Sequence, residues 1–72
     1  MEALARLFRD RRELLGYSQV GLAEEARVPH GLVLSIEYGS RRSPPEPAQV
    51  DGLAKALEVT TADILRASGY RL

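Results

Sequence analysis

The sequence has no cysteine and a single histidine, His30. The first absence excludes disulfide staples and thiolate metal sites. The second leaves no imidazole pair for a zinc site, and no carboxylates are spaced to converge on the one imidazole present. No metal or other cofactor is expected. Long apolar runs are missing too: none exceeds Leu32-Val33-Leu34, so no segment can span a bilayer. The first fifteen residues carry Glu2, Arg6, Arg9, Asp10, Arg11, Arg12 and Glu13, which leaves no room for the apolar stretch of a secretory signal. Nor is there an excess of one charge sign. Ten basic residues balance ten acidic ones, withholding the strong positive field that most readily attracts nucleic acid. Strand-like alternation, internal repeats and low-complexity segments are also lacking. What is present is 72 residues, 44% apolar and 28% charged. The expectation is one soluble, intracellular domain over residues 1–72. A chain of this size buries only about 60% of its unfolded surface, so all its elements must share one core.

Apolar residues at helical spacing mark five segments. Leu4, Leu7, Phe8, Leu14 and Leu15 predict helix one, stopped by Gly16. Ser18 can cap a short second helix running to about Ala26. Arg27-Val28-Pro29 breaks the pattern, and a third helix runs from His30 to about Tyr38, ended by Gly39. Ser40 to Pro45 reads as an exposed loop. Ser43 with Glu46 resembles a capping box, although Pro47 suits a first helical position, so helix four starts between Pro44 and Pro47. Its core face is Val50, Leu53, Ala54 and Leu57. Thr60 with Asp63 is a second capping signal, opening a helix five with Ala62, Ile64, Leu65 and Ala67 that ends at Gly69. The fold class is all-α, a compact five-helix bundle.

Helices two and three are joined by three residues, the short connection of a helix-turn-helix, whose second helix is presented outward. Read together, Tyr17-Ser18-Gln19, Leu22-Ala23, Val28, Val33, Ile36-Glu37 and Gly39, with Ala54-Lys55-Ala56-Leu57 and Val59-Thr60 further on, resemble the Cro and phage-repressor (xenobiotic-response-element) type of helix-turn-helix. The resemblance runs from about Leu4 to Leu65. It implies a lambda-repressor-like DNA-binding domain: a sequence-specific, cytoplasmic and nucleoid-associated regulator, a repressor, that binds double-stranded DNA as a homodimer.

The resemblance further implies that DNA is met by the start of helix two, at Ser18 and Gln19, and by the outer face of helix three, at His30, Gly31 and Ser35. With Val33 and Ile36 turned inward, the wheel of helix three puts Gly31, Ser35 and Tyr38 outside and Leu32 and Leu34 on the flanks. Leu32 is expected in the core or under the following loop. Leu34 is expected to face the groove, where an aliphatic side chain can touch thymine methyls, or to pack on a partner protein. Arg41 and Arg42 match positions along the sugar-phosphate backbone, and Arg12 and Glu37 match a partly buried ion pair that orients helix three. The sequence also departs from the family's pattern. Arg, Asn and Gln are absent from helix three, Arg27 stands at a turn where glycine is usual, Pro29 replaces a Ser or Thr cap, Arg11 replaces an apolar residue, and the loop after helix three looks longer.

Ile64, Leu65, Tyr70 and Leu72 are apolar candidates for the dimer contact, the first two being explained as well by the core. Gly69-Tyr70-Arg71-Leu72 reads as a tail or a linker to further chain. The competing reading is a protein-interaction module on the same scaffold, antitoxin-like or an anti-repressor, favoured by zero net charge and the two leucines. Catalysis is not expected. Glu24 and Glu25 are adjacent and so about 100° apart on a helix, while Ser18, Ser35 and His30 lack partners for nucleophilic chemistry.

Overall fold

A computed structural model describes residues 2–41 and 43–69; Met1, Arg42 and Tyr70 to Leu72, and with them three of the positions singled out above, lie outside the described residues. The described chain forms five helices and no strand: α1 (Glu2–Leu14), α2 (Gln19–Ala26), α3 (His30–Glu37), α4 (Pro47–Leu57) and α5 (Thr61–Ala67). Their apolar faces meet in one core of Leu4, Phe8, Leu22, Leu32, Val33, Ile36, Val50, Leu53, Leu57 and Ile64, together with small alanines. At α2 the core is bounded by α3 and α4, and α1 closes it across α3 and α5.

The first four helices end in the same way. Beyond each, one residue turns left-handed: Gly16 (φ 80°), Arg27 (φ 58°), Gly39 (φ 73°) and Glu58 (φ 58°). The following N–H reaches back to a carbonyl of the last turn, Tyr17 to Arg12 at 3.0 Å, Val28 to Ala23 at 3.0 Å, Ser40 to Ser35 at 3.0 Å and Val59 to Ala54 at 3.0 Å. This is the Schellman arrangement, which accompanies an apolar contact just after the turn. Tyr17, Val28 and Val59 supply that contact by packing on the core. Two of the four turns use a charged residue where glycine is the relaxed choice, a strain of about 1–2 kcal/mol each.

Several boundaries differ from the sequence reading. Helix four starts at the late end of its expected range, with Glu46 as the cap and Pro47 first in the helix. The reciprocal partner is Gln49, whose Oε1 accepts from the Glu46 N–H at 3.0 Å. Ser43 is not the cap, because Pro45 and Pro47 hold Pro44 and Glu46, which would be its first and third helical residues, out of helical geometry. Leu14, expected on the apolar face of α1, is 71% exposed. It lies roughly 100° around the helix from the buried line of Leu4 and Phe8, at an edge no other element covers. On the inner line near the end of α1 stand Arg11 and Arg12 instead. Leu32 is buried, at 5% exposure.

Gly52 explains how closely α2 and α4 approach. A Cβ at this position would overlap the carbonyl oxygen of Ala26, the last residue of α2. At Gly31, in contrast, a Cβ would meet nothing within 4 Å.

Chemical denaturation should separate these sites. Gly52→Ala is expected to cost about 1–3 kcal/mol by overpacking against backbone. Gly31→Ala is expected to be neutral or stabilising, by up to about 1 kcal/mol. Arg27→Gly should gain about 1 kcal/mol by releasing the left-handed strain.

The Thr60–Asp63 box is reciprocal: Asp63 Oδ2 accepts from the Thr60 N–H at 3.0 Å and Thr60 Oγ1 from the Asp63 N–H at 3.0 Å. The bond from the Thr60 backbone, followed by the Thr60 hydroxyl and Arg66, holds the Asp63 carboxyl below its ordinary value of 3.8. Its stabilising effect is therefore full above the unfolded value and disappears as pH falls through the lower folded one. Asp63→Asn should flatten that part of the acid limb of a pH–stability curve and leave its slope in the neutral-to-alkaline range unchanged.

Candidate nucleic-acid interface

The central feature is a carboxylate inside the protein. Glu37, in the last turn of α3, is 3% exposed. Arg12, from the end of α1, grips it with both arms of the guanidinium, Nε to Oε2 at 2.8 Å and Nη2 to Oε1 at 3.0 Å. Its third nitrogen, Nη1, donates to the Tyr17 carbonyl at 3.1 Å, in the link between α1 and α2. The planar fork matches the carboxylate geometry, which a lysine could not do. The hydrogen bond to Glu37 also raises the Arg12 guanidinium above its ordinary value. The guanidinium thus stays charged at any working pH.

Two more groups join this carboxylate. Gln19, the first residue of α2, donates from Nε2 to Glu37 Oε1 at 3.3 Å. Arg9 reaches Oε1 at 4.0 Å and donates from Nη2 to the Glu37 main-chain carbonyl at 3.0 Å. The second bond satisfies a carbonyl left open at the end of α3, where a cation is also favoured by the helix dipole. Arg11 does the same for α4, with Nε to the Leu57 carbonyl at 3.0 Å and Nη2 to that of Glu58 at 3.4 Å. Arg9 was not anticipated from the sequence, and Arg11 was noted there only as a departure from an apolar position. Arg11 could have been suspected from its place on the inner side of α1, where a long cation is satisfied by reaching a helix end; Arg9, on the exposed side, gave no such signal. Among the described residues no buried side-chain nitrogen or oxygen lacks a partner.

Held this way, α3 turns one stripe inward and the opposite stripe outward. Leu32, Val33, Ile36 and Glu37 are buried. Gly31, Leu34, Ser35 and Tyr38 follow at i, i+3, i+4 and i+7, on the other side of the helix. Gly31 and Tyr38 are exposed, Tyr38 at 70%, and Leu34 and Ser35 are half-buried. His30 is exposed in the first turn. Ser35 donates its hydroxyl hydrogen to the Leu32 carbonyl at 2.9 Å, which leaves its oxygen only as an acceptor.

Gln19 and Ser18 stand at the beginning of α2. Because the Gln19 amide nitrogen binds Glu37, its orientation is set and its Oε1 is turned away from that contact. Ser18 Oγ accepts the Gly21 N–H at 2.9 Å, capping α2 and leaving the hydroxyl hydrogen to donate elsewhere. Arg41 folds back on its own loop, donating from Nε to the Ser43 carbonyl at 2.8 Å and from Nη2 to that of Pro44 at 3.4 Å. Arg42, paired with it in the sequence reading, lies outside the described residues. The structure thus joins Arg12, Gln19 and Glu37 in one hydrogen-bonded cluster and sets the α3 residues on one face. Arg41 is directed at its own loop.

Among the described residues there is no group of His, Asp or Glu that could hold a metal ion. No described helix is long and apolar enough to cross a membrane.

A family model described as a helix-turn-helix domain matches residues 3–67. Comparison with curated proteins and with solved structures returned no match. Since the match spans nearly the whole chain, including the α2–α3 pair and the helices that carry it, the protein belongs to the helix-turn-helix domain family, in the Cro and phage-repressor group of DNA-binding regulators.

Proposed function

We propose that the chain is a sequence-specific DNA-binding transcriptional regulator, a repressor, which inserts α3 into the major groove and acts as a homodimer. The observation that carries this reading is the outward stripe of α3, backed by a buried opposite face and tied through Glu37 to the first residue of α2. A helix entering the groove must arrive with its neighbour already aligned to the phosphates, and that tie sets the alignment before DNA is met. In this reading His30, Gly31, Leu34, Ser35 and Tyr38 face the base edges, Ser18 and Gln19 meet phosphate or an edge at the groove's rim, and Arg41 and Arg42 contact the backbone. Arg41 can serve by shaping its loop as well as by charge, since both its interactions hold that loop.

The dimer contact falls to α5 and the residues after it. Ile64 is fully buried and belongs to the core. Leu65 is half-buried and lines a mainly apolar cleft of about 290 Å³ with Pro45, Pro47, Val50 and Thr61. Tyr70 and Leu72 lie outside the described residues.

Selection from random duplexes, followed by affinity measured across a salt series, tests the reading. A dimer neutralising about six phosphates should show a log–log slope near −5. A flat salt response with no enriched sequence would overturn it and favour a protein-interaction module. Changing Arg41→Ala and Arg42→Ala together should weaken all duplexes alike and make the slope shallower.

The Glu37 cluster gives a second prediction. Glu37→Gln alone leaves the Arg12 charge without its counter-charge and should cost about 3–5 kcal/mol in denaturation. Arg12→Met with Glu37→Met should recover most of that stability, because a buried pair can be replaced by apolar residues of similar volume. DNA affinity should nonetheless stay about tenfold down, the scale of one hydrogen bond, with Gln19 no longer held.

A further inference from the structure

Apart from the Tyr38 hydroxyl at its far end, the stripe that α3 turns outward has little to offer a base edge by hydrogen bonding. Gly31 has no side chain, and Ser35 has already given its hydrogen to Leu32. The helix carries no Arg, Asn, Gln or Lys, and its one carboxylate, Glu37, is buried against Arg12. Bidentate readout, worth about 1–3 kcal/mol for each correct base, is therefore closed to the middle of this helix. What stands there is Leu34, half-buried, with Gly31 one turn before it and Tyr38 one turn after. Space around Gly31 is open, so the helix backbone can come nearer to another surface there than a residue with a side chain would allow. Leu32, the other flanking leucine, belongs to the core and is unavailable.

We infer that Leu34 reads the operator by packing on thymine C5-methyl groups, with Gly31 letting α3 sink far enough for the contact. The inference rests on the major-groove reading above. Thymine is the one ordinary base that presents an apolar group in that groove, while the other edges present donors and acceptors. An alkyl side chain seated on those edges would strip their water without replacing its hydrogen bonds. Leu34 thus favours thymine and also penalises the alternatives. The operator class this predicts has a thymine at a fixed place in each half-site.

The test uses the best duplex from random selection and the unaltered protein. Thymines are replaced singly by deoxyuridine, which deletes the methyl group and keeps every hydrogen-bonding atom. One position per half-site should lose about fourfold in affinity, the worth of one buried methyl group, and the others should lose nothing. Leu34→Ala should abolish the difference between thymine and uracil at that position, with helical content checked by circular dichroism. Gly31→Leu, whose Cβ meets no neighbour at this exposed position, should weaken binding to the selected duplex by holding the helix off. If the protein keeps sequence-selective, salt-dependent binding but no deoxyuridine substitution matters, or if Leu34→Ala folds and retains the full uracil penalty, the methyl contact is wrong and the groove reading stands. If no duplex binds in a salt-dependent way, the groove reading itself fails.

Discussion

One buried carboxylate constrains the geometry of the whole helix-turn-helix unit. Glu37 lies where α1, α2 and α3 come together, and it takes hydrogen bonds from the end of the first helix and from the start of the second. Burying an ion pair seldom adds net stability, because desolvation consumes most of the attraction. Its effect here is geometric. A guanidinium fork accepts a carboxylate in few orientations, so the angle between α1 and α3 is limited to those, and the Gln19 amide can point only one way. An apolar contact at the same place would tolerate sliding. The Arg9 bond to the Glu37 main chain strengthens this, since it grips the backbone of the same residue whose side chain Arg12 holds.

The helix ends serve the same purpose at lower cost. A three-residue link between α2 and α3 leaves no slack, so its direction must be set by backbone geometry. The left-handed residue at Arg27 sets it, and Val28 pins the result by packing on the core. The equivalent turn after α4, with Glu58 left-handed and Val59 packed, aims α5 in the same way. Arg11 binds the carbonyls that this second turn leaves open. Strained turns are tolerated because the contacts on both sides over-determine them.

Much of this was legible in the residues. Five periodic segments, their glycine and Thr60–Asp63 boundaries and the all-helical class need only local rules, because capping and periodicity act within a few residues of chain. The wheel of α3 was also readable, since two inward residues fix the other six. What was not readable depended on partners distant in sequence. Leu14 has the right period but lies where no helix arrives to cover it. Arg9 and Arg11 look like surface charges until the ends of α3 and α4 are brought over them. Gly52 reads as a weak spot in α4 until Ala26 is seen against it. The start of α4 was uncertain because two proline signals and a serine compete within a few residues, and the order in which prolines exclude helix decided for Glu46.

Zero net charge is a poor property for a domain that binds a polyanion, and the structure shows how six of its cations are used. Arg12 is neutralised inside the protein, and Arg9 and Arg11 are committed to helix ends. Arg6, Lys55 and Arg66 each face an acid on their own helix. Six of the cations are thus engaged within the protein, and beyond about 8 Å salt screens the charge at its surface. In the proposed reading the duplex is held by close contact, where the fit of a preset surface decides the outcome. Rigidity lowers the ordering cost of such a contact, because side chains and helices need not be immobilised on binding. In the proposed reading the arginines of α1 hold the helices in place, Arg41 and Arg42 are left for phosphate, and the surface of α3 does the selecting.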